Sequence, residues 1–253
     1  MKYFLILYLV LIRFIGFAQA DNEIQVYSSP TIQNKWTIFE LHSNYTFEGS
    51  RQLSDQKLAN WTNETLEITH GFGKNFEIGF YTFSGFAPKK GGYQYLGNQI
   101  RPRITVPLEW KWKVGASLSA EFGFFRPDDT SRFVWQGELR PIIDKTIDNW
   151  YFTFNPNIEF VLSGDEKQLV LAPQFKTVYT IQQKWGIGIE YYSSLGTIQK
   201  ILPSKQQEHL LGPMIDLYVH PMWEVNGGFL FGLTNNSNQR VLKLLLGRRS
   251  GKK

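Results

Sequence analysis

The chain has 253 residues, with 27 basic and 22 acidic side chains, and its formal charge of +5 is too balanced to indicate nucleic-acid binding. It contains no cysteine, which excludes a disulfide framework and thiolate metal ligands. After the first twenty residues no apolar run is long enough to cross a bilayer as a helix.

The first twenty residues are typical of a secretory signal peptide. Lys2 gives a short positive start, Phe4 to Ile12 are apolar, and Ala18-Gln19-Ala20 has the small-x-small pattern of a cleavage site. An uncleaved anchor helix is the alternative, but the apolar run is too short to span lipid. We therefore expect cleavage after Ala20 and a mature chain that starts at Asp21.

From Lys35 onward, apolar and polar residues alternate in segments separated by turn signals, which is the pattern of barrel strands. In residues 114–124, for example, Val, Ala, Leu and Phe alternate with Gly, Ser and Glu. About twelve such segments occur, an even number as single-chain bacterial barrels require. They begin near Trp36, Trp61, Phe76, Tyr93, Val114, Ser131, Trp150, Gln168, Trp185, Glu208, Met222 and Gln239.

The connections alternate in length, which predicts short periplasmic turns and longer external loops. Residues 107–112 form a short connection, whereas 48–60, 86–92 and 195–207 are longer and more polar. Tryptophans near both predicted rims indicate aromatic girdles at the level of the lipid headgroups. Those beside short turns are Trp36, Trp110, Trp112, Trp150, Trp185 and Trp223, and those near the other rim are Trp61 and Trp135.

The predicted fold is all-β, a single antiparallel transmembrane β-barrel of about twelve strands that follows a cleaved signal peptide, in the outer membrane of a Gram-negative bacterium. A soluble sandwich or ligand-binding barrel is the alternative, but its apolar faces would point inward. The near absence of charge on twelve apolar faces favours a barrel in lipid over a soluble protein. The predicted organisation is a signal peptide (1–20), a periplasmic lead-in (21–34), the barrel (35–247) and a basic tail (248–253).

If the apolar face meets lipid, the polar face lines the lumen, where carboxylates outnumber basic side chains. Charges in a confined lumen must pair or keep water. They therefore form either an ion-pair network that holds the barrel closed or a hydrated path for solutes. The candidates are Glu40, His42, Glu67, Arg101, Arg103, Glu121, Glu138, Arg140, Asn155, Asn157, Glu159, Lys176, Glu190, Asp216, Glu224 and Lys243.

Prolines inside predicted strands indicate local irregularity, because proline has no amide hydrogen for the ladder. Pro141, Pro156 and Pro173 fall on three consecutive strands, whereas Pro102 and Pro213 lie elsewhere. Two interpretations remain open, namely bulges that bend the wall and a sideways gap through which a solute leaves.

The sequence offers little sign of catalysis. His42-Ser43 suggests a lipid hydrolase, but adjacent strand residues point to opposite faces. No single strand carries metal-ligand spacing, so we expect neither metal nor cofactor. Gly71-Phe72-Gly73 predicts a tight turn rather than a phosphate loop.

Several segments resemble a family of bacterial outer-membrane barrels labelled "MetA-pathway of phenol degradation"-like. They are EIQVYSSPT, ELHSNYTFEG, HGFGKNFEIGFY, ELRPII, GIGIEYYSSLG and NQRVLKLLLG. The resemblance runs from about Glu23 to Gly247 and implies traffic of small aromatic or other hydrophobic compounds. It supplies no catalytic residue.

We therefore expect a passive channel or porter for small solutes, hydrophobic or aromatic ones among them. A closed structural barrel, or one that binds through its loops, is the second possibility, and a lipid-modifying enzyme is the third. The expected partners are outer-membrane lipid, the barrel-assembly machinery and a small solute, with no nucleic acid.

Overall fold

The computed structural model describes residues 23–51, 59–87, 92–126, 132–163, 168–218 and 220–251. The predicted signal peptide, parts of the loops predicted at 48–60 and 86–92, and the last two residues of the predicted tail lie outside the described residues. No helix in these ranges is long and apolar enough to cross a membrane.

The described chain folds almost entirely into β-strands, as its period-two pattern predicts. In chain order these are β1 (Trp36–Glu48), β2 (Trp61–Phe72), β3 (Phe76–Ala87), β4 (Gly92–Thr105), β5 (Gly115–Phe125), β6 (Val134–Ile147), β7 (Trp150–Val161), β8 (Leu169–Ile181), β9 (Trp185–Ser194), β10 (Gly196–Thr197), β11 (Lys200–Ile201), β12 (Glu208–Leu217), β13 (Trp223–Gly232) and β14 (Arg240–Gly251). Single-turn 3-10 helices occupy Leu108–Trp110 and Ser204–Gln206.

Twelve long strands close into one antiparallel barrel. Each pairs with the next, β9 continues to β12 past the small β10–β11 hairpin, and β14 closes on β1. The predicted twelve-stranded fold is confirmed, and every long strand begins within three residues of its predicted start. The boundary predicted at Gly247 falls inside β14, because residues 248–251 pair with the first residues of β1.

The wall exposes apolar side chains and buries charged ones. On β1, Phe39 and Leu41 are 46% and 43% exposed, whereas Glu40 and His42, which alternate with them, are 6% and 1% exposed. A soluble β-protein shows the reverse arrangement, because water favours the charged face. The soluble alternative therefore fails, and the outward face suits lipid.

One predicted girdle residue faces the other way. Trp61 is 2% exposed and donates a hydrogen bond to Asn63 Oδ1 at 2.7 Å. It shares the inward face of β2 with Glu67, since even spacings along a strand return to the same side. Trp135, in contrast, is 47% exposed, as a girdle position requires.

Candidate channel lumen

The predicted lumen residues lie on the inward face of the wall. Thirteen of the sixteen are buried, and the side chains of Lys176 and Asp216 are 12% and 13% exposed. The side chain of Glu224, 37% exposed, pairs with Arg249 near the rim of the short turns. The arrangement of these charges decides what the lumen can do.

Two arginines of β4 bind carboxylates of β2 and β3. Arg101 contacts both Glu67 on β2 and Glu77 on β3, and Arg103 lies 2.8 Å from Glu77. All four side chains are almost fully buried. Since a buried charge is costly without a partner, this group stabilises one side of the lumen only while all its members are present.

A second group of charges spans strands that are not neighbours. Glu190 on β9 accepts a hydrogen bond from Lys243 on β14 at 2.6 Å, and Lys176 on β8 lies 2.9 Å from Asp216 on β12. Because β12 and β13 separate β9 from β14, the Glu190–Lys243 pair crosses part of the lumen. Tyr192 also donates to Glu190, at 2.9 Å.

The described part of the lead-in, residues 23–34, runs among these inward-facing side chains. Tyr27 is central to it and is 5% exposed. Its backbone N–H donates to Asn155 Oδ1 at 2.8 Å, and its carbonyl accepts from Thr153 at 2.7 Å. The guanidinium groups of Arg140 and Arg101 lie 4.4 and 4.9 Å from its ring centroid, within cation–π distance.

Nearer the short turns, the lead-in is held by backbone hydrogen bonds. The Ser29 N–H and hydroxyl both donate to Asp144, at 2.6 and 2.9 Å, and the Ile32 N–H donates to Glu77 at 2.6 Å. Arg103 donates to the carbonyls of Ser28 and Pro30. These bonds satisfy backbone groups of the lead-in that no strand pairs, so the wall side chains hold the lead-in in one specific position.

Gly71 allows the lead-in to pass close to the wall. A Cβ at this position would lie 2.3 Å from the carbonyl oxygens of both Ile32 and Gln33. Asn34 forms an isolated parallel β-bridge with Gly71, and the Lys35 N–H donates to the Gly71 carbonyl at 3.0 Å. Gly73, at φ +65°, supplies the turn that the sequence predicted, but the reason for Gly71 is this close approach.

The lumen also carries an apolar surface, which we call the inner apolar patch. Its wall residues come from β9, β12, β13 and β14, and two lead-in side chains cover it. The wall residues are Tyr192, Leu210, Leu230 and Val241, and the covering residues are Ile24 and Val26. Apolar side chains are unusual on the water-facing side of a hydrophilic pore.

Strand pairing is irregular near the three prolines predicted to bulge or gap. No β6–β7 pairing is present over residues 140–142 and 155–157, which contain Pro141 and Pro156. Pro173 lies where β8 changes its partner from β9 to β10. Across β7–β8, however, Pro156 and Pro173 face each other in an unbroken register.

A similar interruption beside Pro213 adjoins a groove in the wall. No β12–β13 pairing is present at residues 212–213, and the groove has a volume of about 460 Å³. The strands still lie close together there, since a Cβ on Gly212 would lie 1.9 Å from the Phe229 carbonyl oxygen. The lining residues are Pro213, Met214, Ile215, Gly227, Gly228, Leu242, Lys243 and Leu244.

One cluster has the side chains of a metal site, although no single strand carried the spacing for one. Glu23, His42 and Glu67 come from the lead-in, β1 and β2, and all three are buried. His42 and Ser43 lie on opposite faces, because Ser43 instead donates to Glu64 on the outer side. The pair that suggested a lipid hydrolase therefore cannot act as nucleophile and base on each other.

Comparison with known proteins gives structural relatives only. No known family matches the sequence, and no curated protein matches it. The COG4313 outer membrane channel from Pseudomonas putida F1 is similar, with a TM-score of 0.63 over 90% of this chain and 100% of that one, at 10% identity. The likeness shows a shared fold, the closed antiparallel β-barrel of outer-membrane proteins.

Two porins are similar over most of their length. The KdgM porin has a TM-score of 0.53 and 12% identity, and covers 83% of this chain and 98% of its own. The NanC porin has a TM-score of 0.52 and 12% identity, and covers 85% of this chain and 100% of its own. The finer resemblance to the "MetA-pathway of phenol degradation"-like family stays a prediction.

Proposed function

We propose that the protein is a passive outer-membrane channel for small hydrophobic solutes, aromatic compounds among them. The apolar outer face of a closed barrel and the fold it shares with outer-membrane channels support a channel in that membrane. The inner surface supports the choice of solute.

The observation that carries this proposal is the inner apolar patch. Leu230 and Val241 are 0% and 1% exposed, and they lie in one buried cluster with Ile24 and Val26 of the lead-in. If the lead-in shifts, the patch becomes a surface on which an apolar molecule can displace water.

The wall beside the patch supports a sideways exit. Leu230 lies in the part of β13 that makes no pairing with β12, next to the groove at Pro213 and Gly228. The two strands are in contact here, so they must separate before a solute can leave, and the solute then enters lipid without crossing water. The sequence left open a sideways gap at Pro141, Pro156 and Pro173, as the alternative to bulges, and pairing is also irregular there. The groove beside Pro213 favours an exit between β12 and β13.

The experiment measures entry of a small aromatic probe, fluorescent in lipid, into vesicles whose outer leaflet contains lipopolysaccharide. Leu230→Asn places an amide in the patch and should slow entry several-fold. Leu96→Asn is the matched control, because Leu96 is equally buried but belongs to a separate cluster with Trp61 and Phe83. Equal rates for wild type and Leu230→Asn would contradict the proposed path.

A closed structural barrel is the second candidate, and it is favoured by the tight hold on Tyr27. Removal of residues 23–32 separates the two. A channel should then show larger conductance steps in a planar bilayer, whereas a barrel closed by its wall side chains should show no conductance steps. Migration of the unheated barrel on gels shows whether the shortened protein is folded.

A further inference from the structure

Glu23, His42 and Glu67 bring one ligand atom each to within 4.8 Å of one another. His42 Nε2 lies 3.5 Å from Glu67 Oε2. His42 and Glu67 project from adjacent wall strands, whereas Glu23 belongs to the lead-in. The cluster therefore joins a segment without strand pairing to the rigid wall.

Two of the three side chains carry polar atoms without a hydrogen-bond partner in the described part of the chain. Neither ring nitrogen of His42 makes a hydrogen bond there, and Glu23 Oε2 makes none either. A buried polar group without a partner costs about 1–3 kcal/mol. One metal ion can satisfy one ring nitrogen of His42 and Glu23 Oε2 together, with Glu67 as the third ligand.

The other atoms of the two carboxylates are already oriented. Glu67 Oε1 accepts hydrogen bonds from Arg101 and Thr69, and Glu67 Oε2 lies 3.5 Å from His42 Nε2 and 3.3 Å from the Tyr27 hydroxyl. The Tyr27 hydroxyl donates to Glu23 Oε1, so that Glu23 Oε2 is the free atom. Outer contacts of this kind fix the ligands of protein metal sites.

Acidic side chains outnumber basic ones in this part of the lumen, where six buried carboxyl groups lie with three buried guanidinium groups. A divalent cation bound here adds positive charge to a predominantly acidic interior. The carboxylates are Glu23, Glu40, Glu67, Glu77, Glu121 and Glu138, and the guanidinium groups belong to Arg101, Arg103 and Arg140.

We propose that Glu23, His42 and Glu67 bind one divalent transition-metal ion, with Zn²⁺ as the representative, and that this ion fastens the lead-in to the wall. An imidazole nitrogen with carboxylate oxygens suits zinc, iron or nickel, whereas Ca²⁺ and Mg²⁺ prefer oxygen ligands alone. Metal–ligand bonds of about 2.0–2.2 Å require the three atoms to close to about 3.4 Å. Glu23 can make that movement because no strand holds it.

The position of the lead-in then depends on the metal. With the ion bound, Glu23 is held against β1 and β2, and the inner apolar patch stays covered. Without it, the Glu23 side chain keeps the hydrogen bond from Tyr27 but loses the ion that joins it to His42 and Glu67. The site stands independently of the proposed solute, because its test uses the metal alone.

The test titrates Co²⁺ into the chelator-treated, purified barrel in detergent and follows the visible absorption of the ion. One equivalent should bind and should be displaced by Zn²⁺. Glu23→Gln, which changes no strand residue, and His42→Gln should each weaken binding at least about tenfold. His70→Gln is the matched control, since His70 contacts Thr37 at the rim and should leave binding unchanged.

Hydrogen exchange supplies a second measurement. Zn²⁺ should slow exchange over residues 23–32 in the wild type and leave it unchanged in Glu23→Gln. Absence of saturable binding at one equivalent would overturn the site. Wild-type affinity in both Glu23→Gln and His42→Gln would do so too.

Discussion

The side-chain amide of Asn155 pairs with the backbone of Tyr27 in both directions. Asn155 Oδ1 accepts from the Tyr27 N–H at 2.8 Å, and its Nδ2 donates to the Tyr27 carbonyl at 3.1 Å. The Asn155 side chain thus pairs with the Tyr27 backbone in the way that a neighbouring strand pairs elsewhere in the barrel. This contact sets the position of the lead-in in the lumen.

Asn155→Ala should loosen the lead-in around Tyr27. Loss of the amide leaves the buried Tyr27 N–H without its partner, at a local cost of about 1–3 kcal/mol. Amide exchange at Tyr27 should therefore become about 5- to 150-fold faster. Asn157→Ala is the control, since Asn157 is equally buried but donates to Glu138. Unchanged exchange at Tyr27 in Asn155→Ala would show that other contacts hold the segment.

Gly71→Ala should displace the lead-in at the short-turn rim. The new methyl group would meet the carbonyl oxygens of Ile32 and Gln33 at 2.3 Å, so the segment must move away. Exchange at Ile32 should rise, and conductance should rise with it. Gly73→Ala is the control because nothing lies within 4 Å of its added Cβ. It should show only the strain of its positive φ, about 1 kcal/mol. Identical behaviour of the two variants would exclude a steric role for Gly71.

Phe154→Arg should destabilise the barrel in lipid. Phe154 is on the outward face of β7 and is 43% exposed, so the substitution places a charge in the apolar band. The expected loss is about 2–4 kcal/mol, measured by reversible unfolding in lipid vesicles. Phe154→Leu, which keeps the position apolar, should cost far less. Similar losses for the two would mean that Phe154 does not face lipid.

Alternation was enough to predict the wall. It placed Glu40 and His42 inward with Phe39 and Leu41 outward, because the side-chain period of a strand is fixed at two. It also contained the evidence against Trp61 as a girdle residue. Trp61 lies an even number of residues from Glu67 on the same strand, so both side chains face inward. This spacing predicts the face of Trp61 better than its position near a predicted rim does.

The interior arrangement could not be predicted in the same way. Residues 23–34 have no period, and Tyr27 meets Asn155 across 128 positions of sequence. The cluster of Glu23 with His42 and Glu67 was missed because ligand spacing was sought along single strands. The sequence did contain one signal for such a site. Carboxylates outnumber basic side chains on the predicted inward face, which indicates that a cation binds there.

Protease added to intact Gram-negative cells that express the protein should cut the connection at 195–207 and spare the turn at 107–112. Longer, polar connections face outward in barrels of this kind, whereas short turns face the periplasm. Both segments contain exposed residues, such as Ile198 and Trp110, so accessibility alone does not decide the result. Cleavage at 107–112 with the other segment intact would invert the topology.

Entry of a small apolar aromatic probe into lipopolysaccharide-bearing vesicles tests the proposed function most directly. Lipopolysaccharide slows the unaided passage of such molecules, so protein-free vesicles set the baseline. The wild-type barrel should admit the probe several-fold faster than that baseline, while a sugar of similar size enters much more slowly. Probe entry at the protein-free rate, or sugar entry faster than probe entry, would contradict a channel for hydrophobic solutes.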